Sequence, residues 1–416
     1  MTQSTTDSIP LTKTTRPYRM GWIAMLALLT ALGPLSIDMY LPALPVMAAD
    51  LGVKTALVAN SLPAYFFGLA LGQLVYGPLS DRVGRKLPLY FGLSLFVLAS
   101  VVCAFADSIS MLLVARFFQA LGGCVGVVIA RAAIRDHLSV SDSAQAYSML
   151  LLVMGVAPIL APMLGSWLLL VTGWQGIFVV LMAVGILCLV LVHFSFKETL
   201  LLENRRELTV KQVFSTYWDL LKDNRFRTPA LAGGLLGAAM FTYISASSAL
   251  FIDHFGVTAQ HFAWIFGFNA LGLIALSQLN SRLVKRMGLL RLLHVGASMQ
   301  TFGAVFLLFV AMTEHATLWS TMFGLFFVVS GIGFTSPNAT AISLAFQGHR
   351  AGMASALVGA LQFGFGLVAG VALYVLPFDL MRSMSTVMLI LIGAGLTAVY
   401  VLHWRERQGL PPVPPT

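Results

Sequence analysis

Apolar residues run along this chain in unbroken blocks of about twenty, each long enough for a helix to cross a hydrocarbon core about 30 Å thick. Short polar segments separate the blocks. Twelve spans are read from this pattern. In the first half they lie near residues 20–42, 56–76, 87–106, 110–130, 145–170 and 176–196. In the second half they lie near residues 228–252, 261–280, 290–312, 317–341, 351–376 and 384–404. The pattern predicts an all-α membrane protein with 12 transmembrane helices in two six-helix bundles, over 20–196 and 228–404. A polar linker over 197–227 joins them, and polar tails cover 1–19 and 405–416.

Composition agrees with this reading. Of 416 residues, 58% are hydrophobic and 10% charged, and the mean hydropathy is +0.87. A soluble domain of this size could not hide so much apolar surface. The net charge of +9 would suit a nucleic-acid partner until the charges are placed. All but three of the 25 Lys and Arg residues fall in the tails and alternate loops of one side. Lys54 and Arg382 lie opposite, and Arg116 lies within a span. Basic residues accumulate on the cytoplasmic side, so both termini are expected in the cytoplasm and nucleic acid is excluded as a partner. Cys103, Cys124 and Cys188 lie in apolar runs without metal-ligand spacing and read as small core residues. The membrane runs hold no His/Cys/Asp ligand cluster, no Ser-His-Asp set and no phosphate loop. Enzyme activity, a metal and a cofactor are therefore not expected.

One acid breaks the apolar pattern. Of the 16 Asp and Glu residues, only Asp38 falls well inside a predicted span. An ionisable side chain there marks a functional site, unless it lies close enough to the far surface to be hydrated. Counted from Arg19, Asp38 stands about 28 Å along the helix, which leaves both readings open. Arg116 lies about 9 Å from the outer end of the fourth span, at a similar depth. The two either pair, share a cavity, or leave Arg116 as a clamp on neighbouring carbonyls.

The loop after the second span reads Gly77-Pro78-Leu79-Ser80-Asp81-Arg82-Val83-Gly84-Arg85-Lys86. Its glycines permit a tight reversal. Asp81 can accept from a helix N-terminus, or pair with an arginine when two bundles close. The fifth span carries Gly155, Pro158, Pro162 and Gly165, where two prolines on one face call for a bend and small residues permit close packing.

The loop from Gly77 to Lys86 is similar to the signature loop of the major facilitator superfamily at every fixed position. Arg116-Phe117-Phe118-Gln119-Ala120-Leu121-Gly122 resembles that superfamily's fourth-span motif, with Ala120 in place of a glycine. Gly155 to Gly165 resembles the antiporter motif of drug/proton exchangers, with Ala161 and Ser166 at two glycine positions. Leu35 to Pro45, Arg131 to Asp136, Ser336 to Ala341 and Ala351 to Ala356 narrow the likeness to the bicyclomycin-resistance (Bcr/CflA) subfamily of drug/proton antiporters.

That resemblance implies a secondary active multidrug efflux transporter of the bacterial inner membrane, driven by the proton gradient and working as a monomer by alternating access. Its partners would be a small-molecule substrate such as an amphenicol, bicyclomycin or a sulfonamide, protons and the lipid bilayer. It also implies that Asp38 carries the coupling proton and Arg116 tunes it, and that Gly77, Asp81, Arg82, Gly84, Arg85, Gly155, Pro158, Pro162 and Gly165 serve the conformational change. Tyr40, Tyr65, Phe66, Gln119, Tyr243, Asn269, Asn338 and Gln362 are the expected cavity wall. The alternative is a proton-coupled transporter of a small metabolite on the same scaffold.

Overall fold

A computed structural model describes residues 20–138, 140–205, 209–313 and 316–409. The expected N-terminal tail, the end of the C-terminal tail and linker residues 206–208 lie outside the described residues. Among the described residues the regular structure is entirely helical. The first half forms α1 (Met20–Asp38), α2 (Leu44–Asp50), α3 (Thr55–Ala59), α4 (Ser61–Val83), α5 (Lys86–Ala104), α6 (Ile109–His137) and α7 (Val140–Ser195). A short helix, α8 (Val210–Lys222), follows in the linker. The second half forms α9 (Asn224–Ser248), α10 (Ala259–Met287), α11 (Leu289–Met312), α12 (Leu318–Leu344), α13 (Ala351–Val375) and α14 (Leu380–Arg407).

Eleven stretches among the described residues are long and apolar enough to cross a membrane, against the twelve expected. The difference is α7, which has 56 residues. A straight helix of that length would reach about 84 Å. At Gly173 the backbone adopts φ 73 and ψ −177, a conformation that only glycine holds without strain, and the chain reverses there. The indole Nε1 of the next residue, Trp174, donates to Asp50 Oδ2 at 2.7 Å and ties this turn to the end of α2.

Several span ends depart from the hydropathy reading. The first span was expected to stop near residue 42, but a 3-10 turn at Leu41–Ala43 and then α2 carry it to Asp50. Pro42 and Pro45 stand second in these two helices, in the first turn, where the backbone N–H has no helical partner to lose. Asp38 therefore lies within a 31-residue span, about 18 Å from its far end. At the basic end, α4, α6 and α10 run on to Val83, His137 and Met287, past the ends of their apolar runs. Arg and Lys are good helix formers, so leaving the bilayer does not end a helix. Arg131 and Arg135, read as loop residues, are helical.

The helices pack in two groups. In the first, α1 lies on α6 and α7, while α4 and α5 lie on α6. In the second, α9 lies on α12, α13 and α14, while α11 lies on α12 and α14. The groups meet along α4–α13 and α7–α10. Gly84 after α4 (φ 97) and Gly288 after α10 (φ 81) end equivalent helices of the two halves. Each amide donates back one turn, to Ser80 and to Val284. Large apolar side chains such as Phe91, Leu98, Leu170, Phe309 and Trp319 remain on the outside, which suits a lipid surround.

Candidate functional site

The end of α1 leaves backbone carbonyls without helical partners, and Arg116 on α6 meets one of them. Its guanidinium donates to the Ser36 carbonyl at 2.8 Å and to Gln119 Oε1 at 2.6 Å. A cation at a helix C-terminus is electrostatically favoured. Gln119 in turn donates to Ser100 Oγ at 2.8 Å, and Ser100 Oγ donates to the Phe96 carbonyl. The Arg116 guanidinium carbon lies 4.2 Å from the ring centres of both Tyr40 and Tyr65, so two π faces further stabilise a cation that is fully buried. Tyr40 is held by Ser61: the serine donates to the Val58 carbonyl, so Tyr40 donates to the serine oxygen at 2.9 Å.

Asp38 stands two residues beyond the clamped Ser36, and its side chain is buried (4% exposed). Among the described residues its carboxylate makes neither an ion pair nor a hydrogen bond, with Arg116 or with any other group. The sequence left open whether Arg116 pairs with Asp38 or clamps carbonyls; the geometry is that of the clamp. Gln119 also serves Arg116, with both its polar atoms engaged inside the first bundle.

Across the interface, the second half presents Tyr243 on α9, within electrostatic reach of Asp38. Asn269 Nδ2 donates to the Tyr243 hydroxyl at 3.1 Å, and the phenol ring stacks on Phe266. Phe66 of the first bundle touches Phe241 of the second at 4.6 Å between ring centres. Tyr374, which the sequence did not single out, stands near Tyr40 and donates to the Ser245 carbonyl at 2.8 Å. Asn269 Oδ1, Ser245 Oγ, Ser248 Oγ and Arg116 Nε are buried and have no hydrogen-bond partner among the described residues. Buried polar atoms of this kind are where water or a bound molecule is taken up.

Two expected wall residues are engaged within the second bundle. Asn338 Nδ2 donates to Asn280 Oδ1 at 2.6 Å and to the Phe334 carbonyl, stapling α12 to α10 inside the second bundle. Gln362 lines a small cleft with Ser336, Thr340 and Ser343.

Close packing positions the acid. At Gly165 the α7 backbone runs against the Met39 carbonyl, next to Asp38, and no side chain would fit between them. Pro162 and Pro158 are buried about one and two turns away, and α7 keeps helical dihedrals through both. Ser166 Oγ, standing at a glycine position of the motif, donates to the Pro162 carbonyl at 2.7 Å. Gly155 faces Ile274 of α10 across the interface between the bundles.

The loop at the basic end forms a second polar cluster. Arg85 (1% exposed) donates to Asp81 at 2.6 Å, Ser80 at 2.7 Å and Asp136 at 2.9 Å. Burial alone would disfavour its charge, but Asp136 and Asp81 hold its pKa above the ordinary value. Glu198, more than a hundred residues on, caps the start of α5 by accepting from the amides of Arg85 and Lys86 at 2.9 and 3.1 Å. Of the two roles open to Asp81, a helix N-terminus or an arginine, it takes the second, pairing with Arg85 of its own loop, while Glu198 caps the start of α5. All these partners belong to the first bundle or to the linker that leaves it. Contact with the second bundle passes instead through Gly77, which faces Ala356 of α13. Arg82 points outward.

Comparison with known proteins agrees with this architecture. A family model described as Major Facilitator Superfamily matches residues 26–372. The "uncharacterized MFS-type transporter YdgK" of Bacillus subtilis is 37% identical over 84% of this chain and 87% of its own length. A "bicyclomycin resistance protein homolog" of Haemophilus influenzae is 29% identical over 93% of this chain and 97% of its own. Among solved structures, a POT family transporter bound to a thioalcohol-conjugated peptide superposes with a TM-score of 0.72 at 11% identity, covering 93% of this chain and 96% of that one. A D-xylose-proton symporter superposes with a TM-score of 0.67 at 15% identity, covering 91% and 97%. The chain belongs to the major facilitator superfamily and is a membrane transporter.

Proposed function

We propose that this transporter exports drug-like small molecules in exchange for protons across a bacterial inner membrane. The observation that carries the reading is Asp38, a single carboxylate buried in the membrane interior without a partner among the described residues. A charge there is costly unless water or a cation reaches it. Asp38 therefore holds a proton while the interior is closed and releases it when the cavity opens to water on the side of lower proton activity. The fixed Arg116 clamp keeps α1 in place while this happens, and the bundles rock about the α4–α13 and α7–α10 contacts.

The bicyclomycin resistance protein homolog among the relatives favours a drug over a metabolite as cargo. The basic end, with the Arg85 cluster and the linker, faces the cytoplasm by the distribution of Lys and Arg, and one chain is the working unit.

The test uses purified protein in liposomes under an imposed pH gradient. Proton movement is recorded while amphenicols, sulfonamides, bicyclomycin, cationic dyes and nucleosides are added in turn. Proton release triggered by a drug is expected. Release triggered only by a nucleoside or another metabolite would make the protein a metabolite transporter, and downhill leak without proton movement would make it a facilitator.

A further inference from the structure

The linker helix α8 leaves half of its apolar face bare. Its start is fixed by a reciprocal cap, in which Thr209 and Gln212 each bond the other's backbone amide. One side is packed: Tyr217 and Leu220 are buried with Phe226, Ala230, Met353 and Leu357 of the second bundle. The Tyr217 hydroxyl also donates to the Leu74 carbonyl of α4 at 2.9 Å. The adjoining side carries Val210 (69% exposed), Phe214 (70%) and Trp218 (60%). At roughly 100° per residue these three fall within about 80° of one another, and Lys211 and Lys222 fall about 20–40° beyond Trp218. Lys222 Nζ lies 5.4 Å from the centre of the Trp218 ring.

The position of α8 is also fixed. It ends one residue before α9, and that residue, Asp223, caps α9 and is held by Gln347 at 2.8 Å. The span begun by α9 covers 31 residues, to His254. That length is about 46 Å at helical rise, against about 40–45 Å for a bilayer including its headgroups. The start of α9, and with it α8, therefore stands at headgroup depth.

We propose that the Val210–Phe214–Trp218 stripe of α8 is seated in the headgroup region of the membrane, with Lys211 and Lys222 selecting anionic lipid. Aromatic side chains with lysines along the boundary of the apolar face are the arrangement of a helix lying in the interface. Because α8 is bonded to α4 and packed on α13, the lipid surface then bears on the contact between the two bundles.

The full chain is tested in nanodiscs with a nitroxide at Phe214→Cys or Asp219→Cys, since Cys103, Cys124 and Cys188 are buried. Collisions with oxygen and with a water-soluble nickel complex report lipid and water exposure. Position 214 is expected to favour oxygen and position 219 nickel in discs containing phosphatidylglycerol. Each lysine beside an anionic surface should contribute about fivefold to this partitioning, so Lys211→Gln/Lys222→Gln should weaken it strongly. Equal nickel access at both positions would overturn the proposal. Shielding of position 214 from both reagents would also overturn it, by placing protein on the stripe. The same burial in discs of phosphatidylcholine alone would overturn the selection of anionic lipid.

Discussion

Alanine at Gly165 is expected to lower both stability and turnover, whereas alanine at Gly155, on the same helix, is expected to be accepted. Replacing a mid-helix glycine by alanine gains about 1 kcal/mol in helix propensity. At Gly155 the new Cβ would stand 3.4 Å from Ile274 Cγ1, the flexible arm of a side chain, so most of that gain should survive. At Gly165 the new Cβ would overlap the Met39 carbonyl and come within 3.1 Å of Met39 Cα. Backbone cannot yield by changing rotamer, so the upper part of the overpacking range, about 3 kcal/mol, applies, and the net loss is about 2 kcal/mol. Relief would require α1 to move away from α7, carrying Asp38 with it. Thermal unfolding in detergent and initial rates of gradient-driven transport in liposomes measure the two effects. A Gly165→Ala protein that melts and transports like the parent would show that α1 and α7 do not touch at Met39.

Three further outcomes follow from the polar clusters. Arg116→Lys keeps the charge but cannot reach both Ser36 and Gln119, which leaves a buried acceptor unpaired at about 1–3 kcal/mol; transport and melting temperature should both fall, and a fully active lysine variant would mean that charge alone matters. For Glu198, burial would raise the pKa, but the amides of Arg85, Leu200, Lys86 and Thr199 outweigh it and hold the value below the ordinary one. Its contribution is complete above about pH 4.3 and is lost as pH falls through the lower folded value, so Glu198→Gln should flatten the acid limb of a melting-temperature profile; an unchanged limb would leave the cap without energetic weight. Asp81→Asn removes one of the two carboxylates on Arg85 while Asp136 remains, so turnover should slow with drug affinity retained; unchanged turnover would reduce Asp81 to a turn residue.

Much of this architecture is legible in the chain because lipid imposes long apolar runs on every crossing helix. The single acid Asp38 stood out for the same reason. What stayed hidden depends on register and distance. Hydropathy ended the first span near residue 42, yet Pro42 and Pro45 open two further turns and the span runs to Asp50. Hydropathy marks where the bilayer stops, so it missed the helical turns holding Arg131 and Arg135. Two of the partners of Arg85 lie 51 and 113 positions away, at Asp136 and Glu198, and no local pattern joins them. Arg116 was recognisable as a buried cation, but its choice of the Ser36 carbonyl over the Asp38 carboxylate is set by how α1 and α6 pack.

Asp38→Asn in liposomes tests the central claim most directly. Two quantities are measured on the same preparation: drug accumulation driven by a pH gradient, and exchange of labelled for unlabelled drug with no gradient. Loss of the first with retention of the second is expected, because the asparagine protein can still alternate with drug bound but has no proton to trade. Gradient-driven accumulation at the parent rate would contradict it and remove Asp38 from the coupling mechanism.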